Sequence, residues 1–531
     1  MGIRSNYSNG LYNDFERLQN KYTKKCKENK VLLLRATLAE DNEARLQKQV
    51  DKLVQELKNI QEQIRSENQK LVEENAKLQK ELERLKAREN NDGTTSGIPT
   101  SQTPINKKKV IPNFAKNTGG KIGRKKGHKK DKLERLPDDK IKEHVKHTLE
   151  VCPNCDRSEL IPTGKVISKD VIDYKIITYN TRHDYIEYKC SCCGKLVHEL
   201  IPNHLKEECQ YGSTVKSLAL SLTNIGNVPF NKTRRILSGL SMEDINPSEG
   251  YLAKLQRVAS KGLNSFIEEL HKNAINSSIL YWDDTVITVN KKQSCMRYYG
   301  NEDFCLFKAH EKKNKEGLDK DNILKCLSSS TVVEHDHNKV NYNPEYSYIN
   351  AECCQHLLRD LKKVEINIPD RKWCKDAIKL FQEFDHKRNK LISKGINTFT
   401  QDEINNFIQR LDEVLLKGVE ENEKDSKPYY ADKENTLIYR IMEYRDNYIY
   451  WILDFDIPFT NNLSERNLRG VKSKMKVSGQ FQNIDRATDY ANIRSYIETC
   501  RLYGKNEYES LSRLVEGNPY TFSELQASKN E

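Results

Sequence analysis

Three acidic residues stand where their carboxylates could hold divalent cations. Asp283 lies in the middle of residues 279–289, whose apolar pattern predicts a strand buried on both faces. Asp336 ends a second predicted strand over 330–336, and Glu465 lies near the start of a predicted helix. Buried acids are costly unless they are paired, hydrogen-bonded or bound to metal. Together, these three could hold two hard cations that promote an in-line displacement at phosphorus.

Each acid also has a purely structural explanation. Asp336 could be a turn residue, and Glu465 could be the third residue of a helix capped by Asn462, as in a capping box. Asp284 follows Asp283 directly and therefore faces the other side of the strand, so we assign it no catalytic role. Spacing alone leaves the structural and the catalytic interpretations open.

Four cysteines have the spacing of a zinc site. Cys152 and Cys155 form one CxxC pair, Cys190 and Cys193 form another, and 34 residues separate the two pairs. Two such pairs place four thiolates around one structural Zn²⁺ ion. The residues between the pairs are rich in β-branched and aromatic types, so we predict a zinc ribbon over 149–205.

Composition narrows the class of protein. Charged residues make up 31% of the chain, and no run of apolar residues is long enough to cross a membrane. The first residues lack the apolar core of a signal peptide. We therefore expect a cytoplasmic protein whose 14 cysteines are reduced.

The positive charge is concentrated in one segment. The chain carries a net charge of +12, and residues 107–130 contain ten Lys or Arg and no acid. Interleaved glycines favour a flexible arm that follows DNA phosphates, within a linker over 91–148; a solvated tail is the alternative. The candidate DNA contacts of the arm are Arg124, Lys125, Lys126, His128, Lys129 and Lys130.

The first 90 residues have a heptad pattern. Asn68 and Asn75 fall at core positions, which favours two parallel helices and therefore a dimerising coiled coil over 1–90. A single amphipathic helix packed on the rest of the chain is the alternative. The apolar heptad positions are Leu57, Ile64, Leu71, Leu78 and Leu85.

The remaining chain divides by its periodicity. Residues 206–275 are helical and could form a DNA-binding helix-turn-helix or simple packing helices. The predicted strands fall in 276–356, and a closing helical part spans 453–515. Between them, 357–452 is helix-periodic and too long for a connection, so we predict a helical insertion. Residues 516–531 are expected to be a tail.

Several motifs resemble those of bacterial transposases of the insertion sequence 66 family, and they follow the order of that family. The family pattern has an Asp-acid-Thr strand and, near the C-terminus, an Asn-Asn-x-x-Glu-Arg helix start. In this chain they read Val228-Pro229-Phe230, Trp282-Asp283-Asp284-Thr285, Asp336, Cys353-x-x-His356, Asn461-Asn462-x-x-Glu465-Arg466 and Arg494-Ser495-Tyr496.

The resemblance implies an α/β fold with an RNase H-like catalytic core, interrupted by the helical insertion. It implies Asp283, Asp336 and Glu465 as an Asp-Asp-Glu triad that binds two Mg²⁺ or Mn²⁺ ions. The activity would be cleavage and joining of double-stranded DNA, at transposon ends and target. A homodimer or larger assembly at the bacterial nucleoid is expected, and a need for accessory proteins of the same element is left open.

The resemblance also places DNA contacts after Glu465 and draws attention to a CxxH pair. Cys353 and His356 are either a structural packing pair or metal ligands. A catalytically inactive, transposase-derived DNA-binding regulator is the alternative function. The implied contacts are Arg466, Arg469, Lys472, Lys474 and Lys476.

Overall fold

Helices, a mixed five-stranded sheet and a two-stranded antiparallel sheet are present in the described part of the chain. The predicted α/β class is therefore confirmed, while the RNase H-like arrangement stays a prediction. In spatial order, the strands of the larger sheet are β5 (Cys305–His310), β4 (Lys292–Gly300), β3 (Ile279–Val289), β6 (Val332–His335) and β7 (Ile349–Glu352). The candidate basic arm lies outside the described residues. The computed structural model describes residues 14–28, 43–90 and 135–529, apart from 159, 175, 203, 204, 206 and 425–427.

The chain divides into two compact units. Helix α13 (Asn462–Ser478) and strand β3 (Ile279–Val289) each contribute residues to both units. Unit 1 comprises residues 1–108, 276–283 and 324–465, and unit 2 comprises residues 109–275, 284–323 and 466–531.

Unit 1 contains the parallel part of the sheet. Strand β6 (Val332–His335) pairs with the start of β3 on one side and with β7 (Ile349–Glu352) on the other. The structure confirms the predicted strand at 279–289, and Leu280 and Trp282 are buried as its apolar pattern requires. Strand β7 lies where the sequence indicated only the approach to a helix.

Among the described residues, five helices lie in the stretch predicted as a helical insertion. Phe381 and Phe407 meet edge to face with ring centroids 5.4 Å apart, and Trp373 and Trp451 are buried with them in one apolar core. This stretch therefore has an apolar core of its own. The helices are α8 (Cys354–Asn367), α9 (Trp373–Ile392), α10 (Gln401–Glu423), α11 (Pro428–Glu443) and α12 (Arg445–Leu453).

The heptad segment forms one long helix, α2 (Glu43–Asn90), beside a short helix α1 at residues 14–28. Lys25 lies 3.5 Å from Glu56, and Tyr22 contacts Gln61, so the two helices run antiparallel. Helix α1 thus covers part of the apolar stripe within the same chain. A coiled coil between subunits stays a prediction.

The end of α2 is attached to the insertion. The Tyr430 hydroxyl donates to the Glu83 carbonyl at 3.3 Å, and Ala87 packs with Ile368 and Tyr430. This contact agrees with the alternative that the helix packs on the rest of the chain. Leu78 and Leu82, just before it, remain 44% and 46% exposed.

Unit 2 combines an antiparallel strand pair with two groups of helices. Strands β4 (Lys292–Gly300) and β5 (Cys305–His310) are followed by the short helix α7 (Lys315–Asp321). The earlier helices are α3 (Ser213–Leu220, continued by a π-helical turn), α4 (Phe230–Leu240), α5 (Glu249–Lys261) and α6 (Asn264–Ile275). The closing helices are α14 (Ile484–Leu502), α15 (Glu507–Val515) and α16 (Phe522–Ala527).

The early helices of unit 2 pack on the closing ones. Ser260 of α5 accepts a hydrogen bond from Asn492 of α14 at 3.1 Å, and Glu269 of α6 accepts one from the backbone of Phe522 at 2.9 Å. These contacts favour the packing interpretation of 206–275. The expected tail contains α16, which is capped by Thr521 and buries Phe522.

None of the described helices is both long enough and apolar enough to span a bilayer.

A buried ion cluster in the insertion gives a stability prediction. Glu434 is 1% exposed and accepts from Arg371 at 2.8 Å, Trp373 at 2.6 Å and Asn422 at 2.8 Å. Glu434→Ala leaves a buried guanidinium without its carboxylate, so unfolding free energy should fall by about 3–5 kcal/mol. Urea unfolding followed by circular dichroism measures the change. Glu383→Ala, which removes the exposed pair with Arg410, should cost below about 1 kcal/mol.

Candidate active site

The parallel strands bring three of the predicted site residues into one row. Tyr281 of β3 lies opposite Glu334 of β6. If the pairing of β3 with β6 continued for two more residues, Asp283 would lie beside Asp336. One more residue of the pairing between β6 and β7 would set Asp336 beside Cys353. Neighbouring strands are about 4.8 Å apart, and paired residues share a face of the sheet. Asp283 lies within β3, whereas Asp336 and Cys353 directly follow β6 and β7. The strand register therefore predicts one row for the three residues, and a carboxylate oxygen of Asp336 lies within 4.8 Å of the Cys353 sulfur.

His356, in the first turn of α8, lies between Asp336 and Glu465. Its Nδ1 atom is 2.9 Å from Oδ1 of Asp336, and its Nε2 atom is 3.5 Å from Oε1 of Glu465. Arg359, one turn later, donates to the same Glu465 oxygen at 3.2 Å. The structure thus brings Asp336, Glu465 and the CxxH pair together.

Charge and burial oppose each other at this histidine. Burial lowers the pKa of His356, but the side chains of Asp336 and Cys353 outweigh it and raise the pKa to about 11. Glu334, two residues before Asp336 on the same face, is 1% exposed. Burial, then the nearby Cys353 and Glu352, raises the pKa of Glu334 well above its usual value. Burial therefore favours the neutral form of Glu334.

The start of α13 is held against the sheet within unit 1. The Asn461 side chain donates to the Trp282 carbonyl at 2.9 Å, and its backbone N–H donates to the Cys353 sulfur at 3.2 Å. Helix α13 begins at Asn462, and the Glu465 N–H donates to the Asn461 carbonyl at 3.3 Å. The Glu465 carboxylate is thereby aimed at His356 and Arg359.

Asp284 belongs to a different environment, as its position on the strand predicts. Its Oδ1 atom lies 2.5 Å from the Lys313 ammonium, in unit 2. This ion pair gives Asp284 a structural partner. The ion pair agrees with the interpretation that Asp284 has no catalytic role.

Sequence reasoning missed two residues of the site, Glu334 and Arg359. Arg359 follows His356 by three residues, as His356 follows Cys353, so all three share one helix face. That spacing is a signal that could have identified the arginine. Glu334 gave no such signal, because alternation along a four-residue strand does not distinguish a buried acid from an exposed one.

The two CxxC pairs each form a turn, but the structure does not bring the four sulfurs together. The Gly194 N–H donates to the Cys190 carbonyl at 2.8 Å, and the Asp156 N–H donates to the Cys152 carbonyl at 2.9 Å. The backbone N–H of Asn154, and then the Cys155 side chain, lower the pKa of Cys152. The backbone N–H groups of Cys193 and Cys192 lower the pKa of Cys190. Among the described residues, the group of three or more metal-type ligands that converges is Asp336, Cys353 and His356.

The β-rich stretch between the two CxxC pairs contains little strand. Its described residues include one strand, β1 (Tyr188–Lys189), which pairs with β2 (Leu196–Val197) after the second CxxC pair. Val171 and Ile177 are 84% and 82% exposed, so these apolar side chains have little packing. A module this small draws much of its folding free energy from its metal ion. The four-cysteine zinc site stays a prediction.

The basic residues after Glu465 divide into two sets. At 3.6 residues per turn, Arg466, Arg469, Lys472 and Lys476 fall within about a third of the circumference of α13. All four are exposed. Lys474 was predicted with them, but it is 7% exposed and its ammonium donates to the Thr223 carbonyl at 3.2 Å. We therefore remove Lys474 from the candidate DNA contacts.

The fold and the site define a mixed α/β protein with carboxylates clustered where parallel strands end. A family model described as "Transposase IS66 family" matches residues 208–489, more than half of the 531 residues. The chain belongs to this transposase family, which supports transposase function and, in general terms, DNA binding and cleavage. No curated protein and no solved structure matches the chain.

The burial of Lys474 predicts a pH-dependent stability. Burial lowers its pKa to about 8, whereas an unfolded lysine titrates near about 10.4. Between these values the unfolded chain binds more protons, so stability of the parent should rise with pH through that window. Lys474→Met removes the buried charge and should raise the free energy of unfolding by about 1–3 kcal/mol at about pH 7. At about pH 10 the increase should be smaller.

Urea unfolding at both pH values measures this difference, with Lys476→Met as the exposed control. A stabilisation by Lys474→Met that stays constant across the two pH values would contradict the assignment.

Proposed function

We propose that this chain is an Asp-Asp-Glu transposase that cleaves transposon-end DNA and joins it to target DNA. Asp283, Asp336 and Glu465 would supply the metal-binding carboxylates. The observation that carries the proposal is the contact of His356 with both Asp336 and Glu465, in a chain of a transposase family. The pairing of Tyr281 with Glu334, two residues before Asp283 and Asp336, supports Asp283 as the third acid.

The donor set fits hard divalent cations. Asp336 and Glu465 both face His356, and Oδ1 of Asp336 is buried beside its Nδ1 atom. Mg²⁺ prefers carboxylate and water oxygens, and it keeps open positions for phosphate oxygens. When bound, two such ions activate the attacking oxygen and stabilise the leaving oxygen of an in-line displacement.

The protein's own residues would set the geometry of this reaction. Asp283 lies two residues beyond the paired part of β3 and Asp336 directly follows β6, while Glu465 lies in the first turn of a helix held by Asn461. His356 and Arg359 place positive charge against the acids and orient Glu465. These contacts would keep the carboxylates in place before DNA binds.

DNA would be held chiefly through its phosphates. Arg466, Arg469, Lys472 and Lys476 present one exposed basic face of α13, and the basic arm at 107–130 adds charge in the sequence. Each phosphate contact releases counterions and makes binding weaker in salt.

The other expected parts of the enzyme are proposals of the same kind. We propose that one Zn²⁺ joins Cys152, Cys155, Cys190 and Cys193. We also propose that two chains pair through the part of α2 that contains the exposed Leu78 and Leu82. Both would organise the DNA ends around two copies of the site.

Loss of a carboxylate tests the triad. Asp283→Asn, Asp336→Asn and Glu465→Gln should each reduce Mg²⁺-dependent nicking of DNA carrying the element's ends by about a thousandfold or more, because each removes a metal ligand. Binding to the same DNA, measured by fluorescence anisotropy, should change little.

Asp284→Asn is the matched control for this experiment. It is adjacent to Asp283 but pairs with Lys313, so nicking should stay within a few-fold of the parent. Undiminished nicking by the Asp283 or Glu465 variant would refute the triad. DNA binding without nicking by the parent would indicate the regulator instead.

The basic face of α13 makes a separate prediction. Replacing Arg466, Arg469, Lys472 and Lys476 together by Ala should weaken DNA binding and flatten its dependence on log salt by about 0.9 per lost phosphate contact. A salt titration of affinity measures both. Lys417→Ala, in the insertion and paired with Asp376, should leave the slope unchanged.

A further inference from the structure

The CxxH pair and Asp336 form a compact group of three different ligand atoms. A carboxylate oxygen of Asp336, the sulfur of Cys353 and a ring nitrogen of His356 all lie within 4.8 Å of one another. All three residues belong to unit 1. Cys353 precedes α8 directly and His356 lies in its first turn, so the spacing of two intervening residues turns both side chains to the same side.

The chemistry of these donors differs from that of the carboxylate triad. Mg²⁺ prefers oxygen ligands, whereas thiolate and imidazole favour Zn²⁺ and similar transition-metal ions. Three protein ligands of mixed type with a fourth position open are common in zinc sites.

Two buried atoms in the group face each other. Oδ1 of Asp336 and Nδ1 of His356 are 2.9 Å apart and form an ion pair, and neither makes a hydrogen bond to another group. Buried polar atoms are nearly always satisfied, and here each atom depends on the other. A metal ion that replaced the proton between them would accept an electron pair from each atom and satisfy both.

The surroundings support metal ligation by the same atoms. The second ring nitrogen of His356 faces Glu465 at 3.5 Å, which is the carboxylate partner that metal-bound histidines usually have. The Asn461 N–H donates to the Cys353 sulfur at 3.2 Å, and the start of α8 adds its dipole. Both favour the thiolate, which is the form that binds metal.

From these observations we infer that Asp336, Cys353 and His356 form a site for one thiophilic divalent cation, of which Zn²⁺ is the representative. The site is separate from the four-cysteine module and shares only Asp336 with the proposed triad. Zinc there would therefore compete with Mg²⁺ for Asp336 and inhibit cleavage. That last consequence rests on the proposed function, whereas the binding itself does not.

Metal binding to the full-length chain tests the inference directly. After chelator treatment, equilibrium dialysis against Zn²⁺ gives the stoichiometry and affinity of the parent and of four variants. Cys353→Ser and His356→Gln remove ligands. Cys354→Ser is the matched control, because the Cys354 sulfur lies against the Tyr448 carbonyl at 3.4 Å. Cys152→Ser/Cys155→Ser removes the other expected zinc site.

The parent should bind one more Zn²⁺ than either ligand variant, or bind it at least about 100-fold more tightly. Cys354→Ser should match the parent. In the Cys152→Ser/Cys155→Ser chain, Co²⁺ should still give a thiolate-to-cobalt charge-transfer band, and adding Cys353→Ser should abolish it. Circular dichroism checks each fold, and His356→Gln keeps the test valid where Cys353→Ser perturbs the core.

Parent-like zinc binding by both Cys353→Ser and His356→Gln would overturn the inference. Displacement of the zinc by millimolar Mg²⁺ would also overturn it, because the site would then be a hard-cation site. Absence of DNA nicking by the parent would count against the proposed function alone, since the binding experiment uses no DNA.

Discussion

The parallel register of β3, β6 and β7 is the constraint on which the site depends. Ile279, Val332 and Ile349 form an apolar row across the three strands and pack with Ala351 and Ile457. Four residues further along the chain come Asp283, still within β3, and Asp336 and Cys353, which directly follow β6 and β7. Because side chains alternate with a period of two, a slip of one residue would turn one member of both rows to the opposite face. Burial of the apolar row therefore fixes the alignment of the polar row.

The charge of that row is balanced largely from one helix. Asp336 and Glu465 face His356 and Arg359, which lie three residues apart on α8. Burial raises the pKa of Glu334, between the two rows, and so disfavours a further negative charge in a poorly solvated place. The start of α8 thus supplies His356 and Arg359, which face Asp336 and Glu465, and it directly follows the Cys353 thiol.

The features predicted from sequence are those that periodicity and short-range chemistry determine. The strand containing Asp283 is readable because its alternation extends over eleven residues. Asp336 and Glu465 were placed through motifs of a family. The sequence does not determine the role of Cys353, because its neighbours Asp336 and Asn461 are distant in sequence and no local pattern predicts these contacts.

The predictions that were wrong or incomplete concern features that depend on contacts between residues distant in sequence. Lys474 shares its sequence neighbourhood with exposed basic residues, but its position on α13 turns it toward Thr223 and Tyr490. Strand β7 has only four residues, too few for alternation to identify. Its existence depends on pairing with β6, a contact that the sequence of β7 does not encode by itself.

The insertion separates Asp336 from Glu465 in sequence without separating them in space, because its two ends meet. The Cys354 N–H, at the start of α8, donates to the Phe459 carbonyl at 3.2 Å, and the next contact joins Asn461 to Cys353. With its ends fixed and its own aromatic core around Trp373, the insertion closes as a folded unit rather than as a loose loop. The entropy of loop closure grows only slowly with length, so about a hundred inserted residues cost little once they fold on their own. The contacts between the two ends of the insertion therefore return the chain to the site and bring Glu465 near His356 and Asp336.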